Sequence, residues 1–297
     1  MNNASNCPEI FSLPYETTIG YYSHLTWLRS IHEYAIAVVP LYLLGIYVGQ
    51  KLMQSRAPVH LKWQLFTWNL FLAIFSAIGA ARLMQEFLHV LTHYDVYCSV
   101  CITGPCNVRG FWISAFALSK IVELGDTVFL ILRKRPVIFL HWYHHVSVLL
   151  FTWTSAVEAA SFGRYFMGIN FLIHSFMYSY FAVQSLGIRL GRGISMTITT
   201  LQILQMMAGI FVVAYANTMM RQGTYCEVKD KTMTIALVIY ASYFVLFVRF
   251  FYNAYITGGK SRKDAAAVNC SSTSDGKPVS RLDPNQNIVL SNKRKDL

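Results

Sequence analysis

The sequence predicts an all-α membrane protein, and three observations lead to this fold class. Of the 297 residues, 55% are hydrophobic and only 13% are charged, a composition outside the range of soluble globular domains. Aromatic residues make up 15% of the chain, and many tyrosines and tryptophans fall near the ends of apolar blocks, as anchoring at a membrane interface requires. The blocks themselves are near the length that crosses a hydrocarbon core of ~30 Å.

Seven such blocks predict seven transmembrane helices. They cover residues 32–50, 64–84, 111–132, 137–157, 162–186, 194–217 and 233–256. The fourth and fifth have the least distinct ends, because Pro136 only just separates the third block from the fourth and the following linker is short. The chain thus divides into an N-terminal segment (1–31), a seven-helix domain (32–257) and a polar tail (258–297) for which we expect disorder.

The distribution of lysine and arginine predicts the orientation of the helices. Of the 25 basic residues, sixteen lie on the side of the loop 51–62 and the tail, six lie on the opposite side and three lie inside helices. The positive-inside rule therefore puts the N terminus outside the cytosol and the C terminus in the cytosol. Lys293 and Lys295 match a dilysine address for retrieval to the endoplasmic reticulum, although a basic tail attracted to anionic lipid would have the same composition.

The cysteines agree with this orientation. Cys98, Cys101, Cys106 and Cys226 all fall in the two long loops predicted to be non-cytosolic. A disulfide of Cys226 with Cys98 or Cys101 is expected there, and free thiols are the alternative. Asn3 begins an N-A-S sequon on the same side, which predicts a glycosylation site.

Polar side chains recur inside four consecutive predicted spans, where an ionisable group costs ~3 kcal/mol by insertion scales. On the third span they are spaced every third residue, and on the next three they share one helical face. These residues are Lys120, Glu123 and Asp126; His141, His144 and His145; Asn170 and His174; and Thr199, Gln202 and Gln205. Mutual neutralisation of Lys120 and Glu123, and packing of the glutamines between helices, are structural explanations for part of this set. The simplest arrangement that hides all four faces is a ring of helices around a shared interior.

The histidine cluster raises the question of metal binding. H-x-x-H-H is also a motif of membrane di-iron desaturases and hydroxylases, and imidazole is a good ligand for iron. Those enzymes need about eight histidines in three groups, whereas this chain has nine in total, mostly scattered. The H-x-x-x-H pair at His89 and His93 lies across the predicted bilayer from the cluster. We therefore expect no metal at this site.

Five motifs, in their order and spacing, resemble those of the fatty acid elongases of the ELO family. They are K-x-x-E-L-x-D-T at Lys120–Thr127, the L-R-K that follows it, H-W-Y-H-H at His141–His145, N-x-x-x-H-x-x-M-Y at Asn170–Tyr178 and T-x-x-Q-x-x-Q at Thr199–Gln205. The resemblance covers about residues 30–257. Phe181 departs from it, because many members have a second tyrosine there. Trp142 within the histidine motif resembles the branch that acts on saturated and monounsaturated chains.

The resemblance implies a fold, an activity and a location. The fold would be six helices around a narrow acyl tunnel plus one peripheral helix, here the first. The activity would be that of a very-long-chain 3-oxoacyl-CoA synthase, which condenses acyl-CoA with malonyl-CoA and releases CO₂ and CoA, without a bound cofactor or metal. We expect a multi-pass protein of the endoplasmic reticulum membrane in contact with lipid. Partners would be the reductase, dehydratase and enoyl reductase of the elongation cycle and a second copy of the chain, but not nucleic acid.

The resemblance also assigns roles to residues. His144 would be the nucleophile that carries the acyl group, with His141, His145 and Asp126 activating or orienting it. His174 and Asn170 would hold the thioester oxygen or the malonyl-derived enolate. The remaining substrate-binding residues would be Lys120, Glu123, Tyr178, Gln202 and Gln205 inside the bundle and Arg133 and Lys134, with Arg135, Arg189 and Arg192, at its cytosolic mouth. A di-iron enzyme and, more remotely, a heptahelical receptor are the alternatives.

Overall fold

The computed structural model describes residues 12–104 and 106–257, and the regular structure in these ranges is helical without any β-strand. The all-α prediction is therefore confirmed. The α-helices are α1 Pro14–Thr17, α2 Tyr21–Ser30, α3 His32–Met53, α4 Lys62–His93, α5 Val96–Cys101, α6 Asn107–Val122, α7 Gly125–Leu132, α8 Phe139–Val157, α9 Gly163–Ser185, α10 Arg192–Arg221 and α11 Asp230–Phe251. These belong to one compact unit, Met1–Phe251, and a second unit, Tyr252–Leu297, begins with a π-helix at Tyr252–Thr257.

Five helical segments within the described ranges are long and apolar enough to cross a membrane. They are α3, α4, α9, α10 and the segment Asp230–Thr257, and they match the first, second, fifth, sixth and seventh predicted spans. The protein therefore has the helices of a membrane protein. Helix α8, which matches the fourth predicted span, contains three histidines that lower its mean hydropathy. The third predicted span is divided into α6 (16 residues) and α7 (8 residues), and each of these is too short to cross a membrane alone.

The third predicted span is divided into α6 and α7. Between them, the amide nitrogen of Asp126 donates to the carbonyl of Glu123 (3.1 Å) and that of Thr127 donates to Leu124 (3.2 Å), so the backbone makes a tighter 3₁₀-type turn. Gly125 at this turn lies against the ring of Trp68, and a Cβ there would come within 2.5 Å of the ring. The break between α6 and α7 thus brings the indole of Trp68 on α4 next to the first turn of α7.

The helices pack in a definite order around the middle of the unit. Helix α4 packs along α9, α9 contacts α10, α10 packs along α11, α11 contacts α8, α8 contacts α6, and α6 contacts α4. Helix α3 lies outside this sequence against α7 and α8, and α2 packs on α6 and α8. The largest fully buried side chain, Trp153 on α8, donates its indole N–H to the carbonyl of Ala117 on α6 (3.0 Å).

Two connections tie the loops at one end of the unit. The fully buried carboxylate of Glu16 accepts two hydrogen bonds from the guanidinium of Arg82 (2.8 and 2.6 Å) and one from the indole of Trp112 (2.8 Å). Arg82, one of the three basic residues predicted inside helices, therefore has a buried partner, Glu16 on α1. Cys101 on α5 forms a disulfide with Cys226, which selects one of the two pairings left open above, and Cys98 is free.

Candidate active site

A narrow cavity runs along one face of α8 and is bounded by α6, α9, α10 and α11. Its free volume is about 60 Å³. Helix α8 contributes residues at i, i+4, i+7, i+8, i+11 and i+12, which share one face: His144, Val148, Phe151, Thr152, Ser155 and Ala156. The middle of the cavity is apolar, and its two ends are polar. Met167 and Met206 line it and can move aside for a ligand, because the unbranched thioether side chain adopts many rotamers at low cost.

Three residues predicted from the sequence line one polar end. They are His144 on α8, Asn170 on α9 and Gln205 on α10, and the last two are buried. Side chains from three helices, whose motifs lie far apart in the sequence, therefore converge on the same space. An imidazole and two amides facing an apolar channel can hold a carbonyl group and act on it.

Tyr243 on α11 lines the same end and was not predicted. Its hydroxyl hydrogen-bonds with the hydroxyl of Ser147 (2.8 Å) and donates to the carbonyl of His144 (3.4 Å), and its ring lies 5.1 Å from the imidazole. Tyr240, one helical turn away, also lines the cavity. Two tyrosines three residues apart are the only signal that the sequence offers, and in an aromatic-rich span this signal resembles ordinary packing.

Lys120, Glu123, Asn170 and His174 form a buried polar cluster beside this end. The ammonium of Lys120 donates to Oε1 of Glu123 (2.8 Å) and to Oδ1 of Asn170 (3.0 Å). Nδ1 of His174 lies 3.8 Å from Oε2 of Glu123. Lys120 is only 2% exposed, so its charge is neutralised by Glu123 rather than by water. The cluster fixes the orientation of the Asn170 amide.

Asp126 takes a different position from the one expected. Its Oδ1 accepts a hydrogen bond from the indole of Trp68 (2.6 Å) and its Oδ2 accepts one from the hydroxyl of Tyr178 (2.9 Å). Both carboxylate oxygens are therefore engaged by α4 and α9, and Asp126 holds these helices together. Trp68 was missed because nothing in its own span marks it as the partner of a carboxylate 58 residues away.

The neighbouring Thr127 is the α7 residue that reaches the histidine motif. Its hydroxyl hydrogen-bonds with Nε2 of His141 (2.8 Å) and with the hydroxyl of Tyr42 on α3 (2.8 Å). The ring of the buried His145 lies 4.4 Å from that of His141, and its Nδ1 has no hydrogen-bond partner within residues 12–104 and 106–257. The three histidines thus have different surroundings, and of the three His144 lines the cavity.

The other predicted residues lie outside the cavity wall or outside the described residues. The amide of Gln202 donates to the sulfur of Met177 (3.4 Å). Lys134 donates to the carbonyls of Gln54 (3.2 Å) and Arg56 (2.8 Å), and Arg133 beside it is half-buried. Asn3, Lys293 and Lys295 fall outside the described residues. Within the described ranges, no three His, Cys, Asp or Glu side chains are close enough together to hold a metal ion.

The far end of the cavity is lined by basic and hydroxyl side chains that were not predicted. Arg109 and Arg164 lie there with Thr103 and Ser161. Both guanidiniums donate to Oε1 of the buried Glu86, at 2.5 Å from Arg109 and at 3.1 and 3.2 Å from Arg164. The sequence places both arginines near span ends, where basic residues are common, so their burial gave no signal.

Comparison with known proteins agrees with the motifs. Residues 27–263 match the family model ELO, described as the GNS1/SUR4 family. The chain is 43% identical over 249 residues to very long chain fatty acid elongase 6 of Drosophila melanogaster, covering 82% of this chain and 79% of the relative. It is 39% identical over 253 residues to elongase 6 of Gallus gallus, covering 84% and 94% of the two chains. The human elongase 6 is 40% identical over 245 residues, covering 82% and 91%. The chain belongs to the ELO family.

Proposed function

We propose that this protein is a very long chain fatty acid elongase that condenses a long-chain acyl-CoA with malonyl-CoA to give 3-oxoacyl-CoA, CO₂ and CoA. The relatives named as very long chain fatty acid elongases support this activity. The observation that carries the proposal is the position of His144 at the polar end of a narrow apolar cavity. A long acyl chain extends along such a cavity while its thioester lies beside the imidazole.

The first half of the reaction transfers the acyl group to His144. The imidazole nitrogen attacks the thioester carbonyl, the carbon–sulfur bond breaks, and CoA leaves as its thiol with the proton that the imidazole gives up. The carbonyl oxygen carries negative charge during this step. Oδ1 of Asn170 is occupied by Lys120, so the NH₂ group of the amide is the part left to donate to that oxygen.

The second half forms the new carbon–carbon bond. Malonyl-CoA loses CO₂ to give an enolate, whose carbon attacks the acyl carbonyl while the carbon–nitrogen bond to His144 breaks. The imidazole, which leaves without a proton, takes one up from solvent, and 3-oxoacyl-CoA is released. Asn170, and His174 beside Glu123, would stabilise the enolate oxygen.

The packing order of the helices supports a ring of six membrane-spanning units with α3 outside it, in which α6 and α7 together form one span. In this arrangement the space along α8 is the acyl tunnel. The motif end would face the cytosol, where the substrates are, and the N terminus would face the lumen of the endoplasmic reticulum. Gln205 is buried in the cavity wall. The amide of Gln202 makes only a weak contact with the sulfur of Met177, so we assign Gln202 to the CoA arm.

Arg133 is half-buried beside Lys134, and both follow α7 directly, so they are candidates for the CoA phosphates together with Arg189 and Arg192. The product must be reduced, dehydrated and reduced again, so association with the three enzymes of those steps is expected. Assembly with a second copy of the chain is compatible with the apolar outer surface.

The test is elongation by the purified full-length protein, supplied with malonyl-CoA and saturated acyl-CoAs of graded length. We expect 3-oxoacyl-CoA without added iron or reductant, a mass increase of one acyl group on His144 when malonyl-CoA is omitted, and loss of both in His144→Ala. His60→Ala is the matched control, because His60 is exposed in the loop between α3 and α4. Iron-dependent unsaturation of the acyl chain, or full activity of His144→Ala, would contradict the proposal.

A further inference from the structure

The far end of the cavity contains buried polar atoms that its own side chains do not satisfy. Among the described residues, Nε of Arg109, Oε2 of Glu86 and Oγ of Ser161 have no hydrogen-bond partner. All three residues are at most 3% exposed. A buried polar atom without a partner is costly, so such atoms are normally matched by a ligand group or an ordered water.

The residues that carry these atoms are linked to one another through a chain of hydrogen bonds. Arg109 and Glu86 form an ion pair, and Arg109 also donates to the carbonyls of Thr103 and Gly104. Glu227 joins Ser161 to this group, because its carbonyl accepts from the amide of Ser161 (3.0 Å) and its carboxylate accepts from the amide of Thr103 (2.7 Å). Arg109 and Ser161 both line the cavity.

The chemistry of the three atoms defines the group that would fit. Nε of Arg109 is a donor, the carboxylate oxygen is an acceptor, and the serine hydroxyl is both. A hydroxyl is a small neutral group that accepts one hydrogen bond and donates another. The charges of Arg109 and Arg164 are matched by those of Glu86 and Glu227, so the region does not favour a further anion such as a carboxylate.

The distance from His144 sets where this group would lie on a substrate. A rise of about 18 Å separates His144 from Ala156, which is the last α8 residue in the cavity wall. An extended acyl chain advances ~1.25 Å per carbon, given a carbon–carbon bond of ~1.5 Å. The last carbon of a chain of about 16 to 18 carbons would therefore reach the polar end.

We propose that this end of the cavity binds a hydroxyl at the ω end of the acyl chain, so that the protein extends ω-hydroxyacyl-CoA as well as methyl-ended acyl-CoA. This rests on the proposed function, because it places the thioester at His144. With a methyl-ended chain, the polar atoms remain unmatched or retain a water. With a shorter ω-hydroxyacyl chain, the hydroxyl would lie in the middle of the cavity near Ile113, Phe116 and Phe151, where it does not reach Arg109 or Ser161.

The experiment is a competition between the two substrates in one reaction with the purified full-length protein and malonyl-CoA. The measured quantity is the ratio of ω-hydroxy to methyl-ended 3-oxoacyl products. For chains of about 16 carbons we expect a ratio near or above unity, and for chains of about 10 carbons a ratio at least about tenfold lower. Ser161→Ala should lower the ratio for the long pair by about two- to tenfold.

Ser155→Ala is the matched control. Ser155 lines the same cavity, but its hydroxyl already donates to the carbonyls of Phe151 (2.8 Å) and Thr152 (3.2 Å), so its removal should leave the ratio unchanged. A ratio far below unity for the long pair, a ratio that Ser161→Ala does not change, or preference for an ω-carboxylate would overturn the inference.

A second measurement separates this inference from the proposed function. The thermal midpoint of the purified protein is measured with long ω-hydroxyacyl-CoA or methyl-ended acyl-CoA and no malonyl-CoA. We expect a larger upward shift with the ω-hydroxy ligand, reduced in Ser161→Ala but not in Ser155→Ala. If neither substrate is extended, the proposed function fails and the thermal shifts still decide whether the polar end binds a hydroxyl; equal shifts would reject it.

Discussion

Individual residues around His144 are held by hydrogen bonds that distinguish otherwise similar side chains. Tyr243 and Tyr143 both bond to a serine across the contact between α8 and α11, at 2.8 Å to Ser147 and 2.9 Å to Ser242. Tyr243 lines the cavity and reaches the backbone of His144, whereas Tyr143 does neither. The two hydroxyls therefore have similar structural roles, but only that of Tyr243 is on a residue next to the His144 imidazole in the cavity wall.

This difference predicts the effects of removing each hydroxyl. Tyr243→Phe should lower kcat about two- to tenfold with little change in KM, because one net hydrogen bond that positions His144 is lost. Tyr143→Phe should lower the thermal midpoint about as much as Tyr243→Phe does, because each variant loses one hydrogen bond to a serine, but it should leave kcat unchanged. Steady-state elongation and thermal unfolding of both variants measure the two effects. Equal losses of kcat would show that the hydroxyls act only through stability.

The buried pair of Lys120 and Glu123 predicts a separation of stability from activity. Lys120→Met should destabilise the protein by about 3 to 5 kcal/mol, because it leaves a buried carboxylate without its partner. The double variant Lys120→Met with Glu123→Gln removes both charges and should recover most of the thermal midpoint. It should not recover elongation, because Asn170 loses the donor that orients its amide. Recovery of elongation in the double variant would show that the pair serves stability alone.

At the scale of the elements, the sequence predicted the faces of the helices better than their breaks and contacts. Motif spacing placed His144, Asn170 and Gln205 on the faces that line one cavity, because helical periodicity depends only on local order. The break between α6 and α7 was missed, since Gly125 is its only local cue and its reason is the distant ring of Trp68. Two hydrogen-bonded pairs were also missed: Trp68 with Asp126, 58 residues apart, and Glu16 with Arg82, 66 residues apart. Such pairs form only when the helices assemble, so no local sequence pattern predicts them.

Two glycines of α10 differ in how closely they approach other atoms, so replacing each with alanine should affect stability differently. A Cβ at Gly209 would come within 2.2 Å of the ring of Tyr240, which lines the cavity. Gly209→Ala should therefore separate the helices or displace the ring, at a cost of about 1 to 3 kcal/mol, and lower elongation. Gly193→Ala should be neutral or stabilising by up to about 1 kcal/mol, because no atom lies within 4 Å of its Cβ position and alanine favours the helix. Thermal unfolding of both variants tests this; a neutral Gly209→Ala would contradict the close contact.

At the scale of the whole molecule, the Cys101–Cys226 disulfide connects α5 to the loop that follows α10. Cys101 and Cys226 are 125 residues apart in sequence. Next to them, the carbonyl of Cys101 accepts a hydrogen bond from the amide of Glu227 (2.8 Å), and Glu227 in turn bonds to Thr103 and Ser161. The disulfide therefore fixes the same segments that hold the polar end of the cavity.

Cys98, three residues from the disulfide, is not positioned to exchange with it at neutral pH. Burial and then the hydrogen bond with Asp95 raise the pKa of the Cys98 thiol. A group whose pKa is raised stays protonated over a wider range, and the thiol form does not attack disulfides. Attack of Cys98 on the Cys101–Cys226 disulfide should thus begin at a higher pH than for an ordinary cysteine thiol.

This arrangement predicts which cysteines matter for stability. Cys226→Ala should lower the stability by about 2 to 5 kcal/mol, because it removes the constraint that the disulfide places on a long loop of the unfolded chain. Cys101→Ala should have the same effect, and the double variant should be no worse than either single variant, since both remove the same bond. Cys98→Ala should change the thermal midpoint little. Thermal unfolding of the four purified variants measures these effects, and mass spectrometry identifies the native disulfide. Additive losses in the double variant would contradict the prediction. A large loss of stability in Cys98→Ala would show that Cys98 takes part in the pairing.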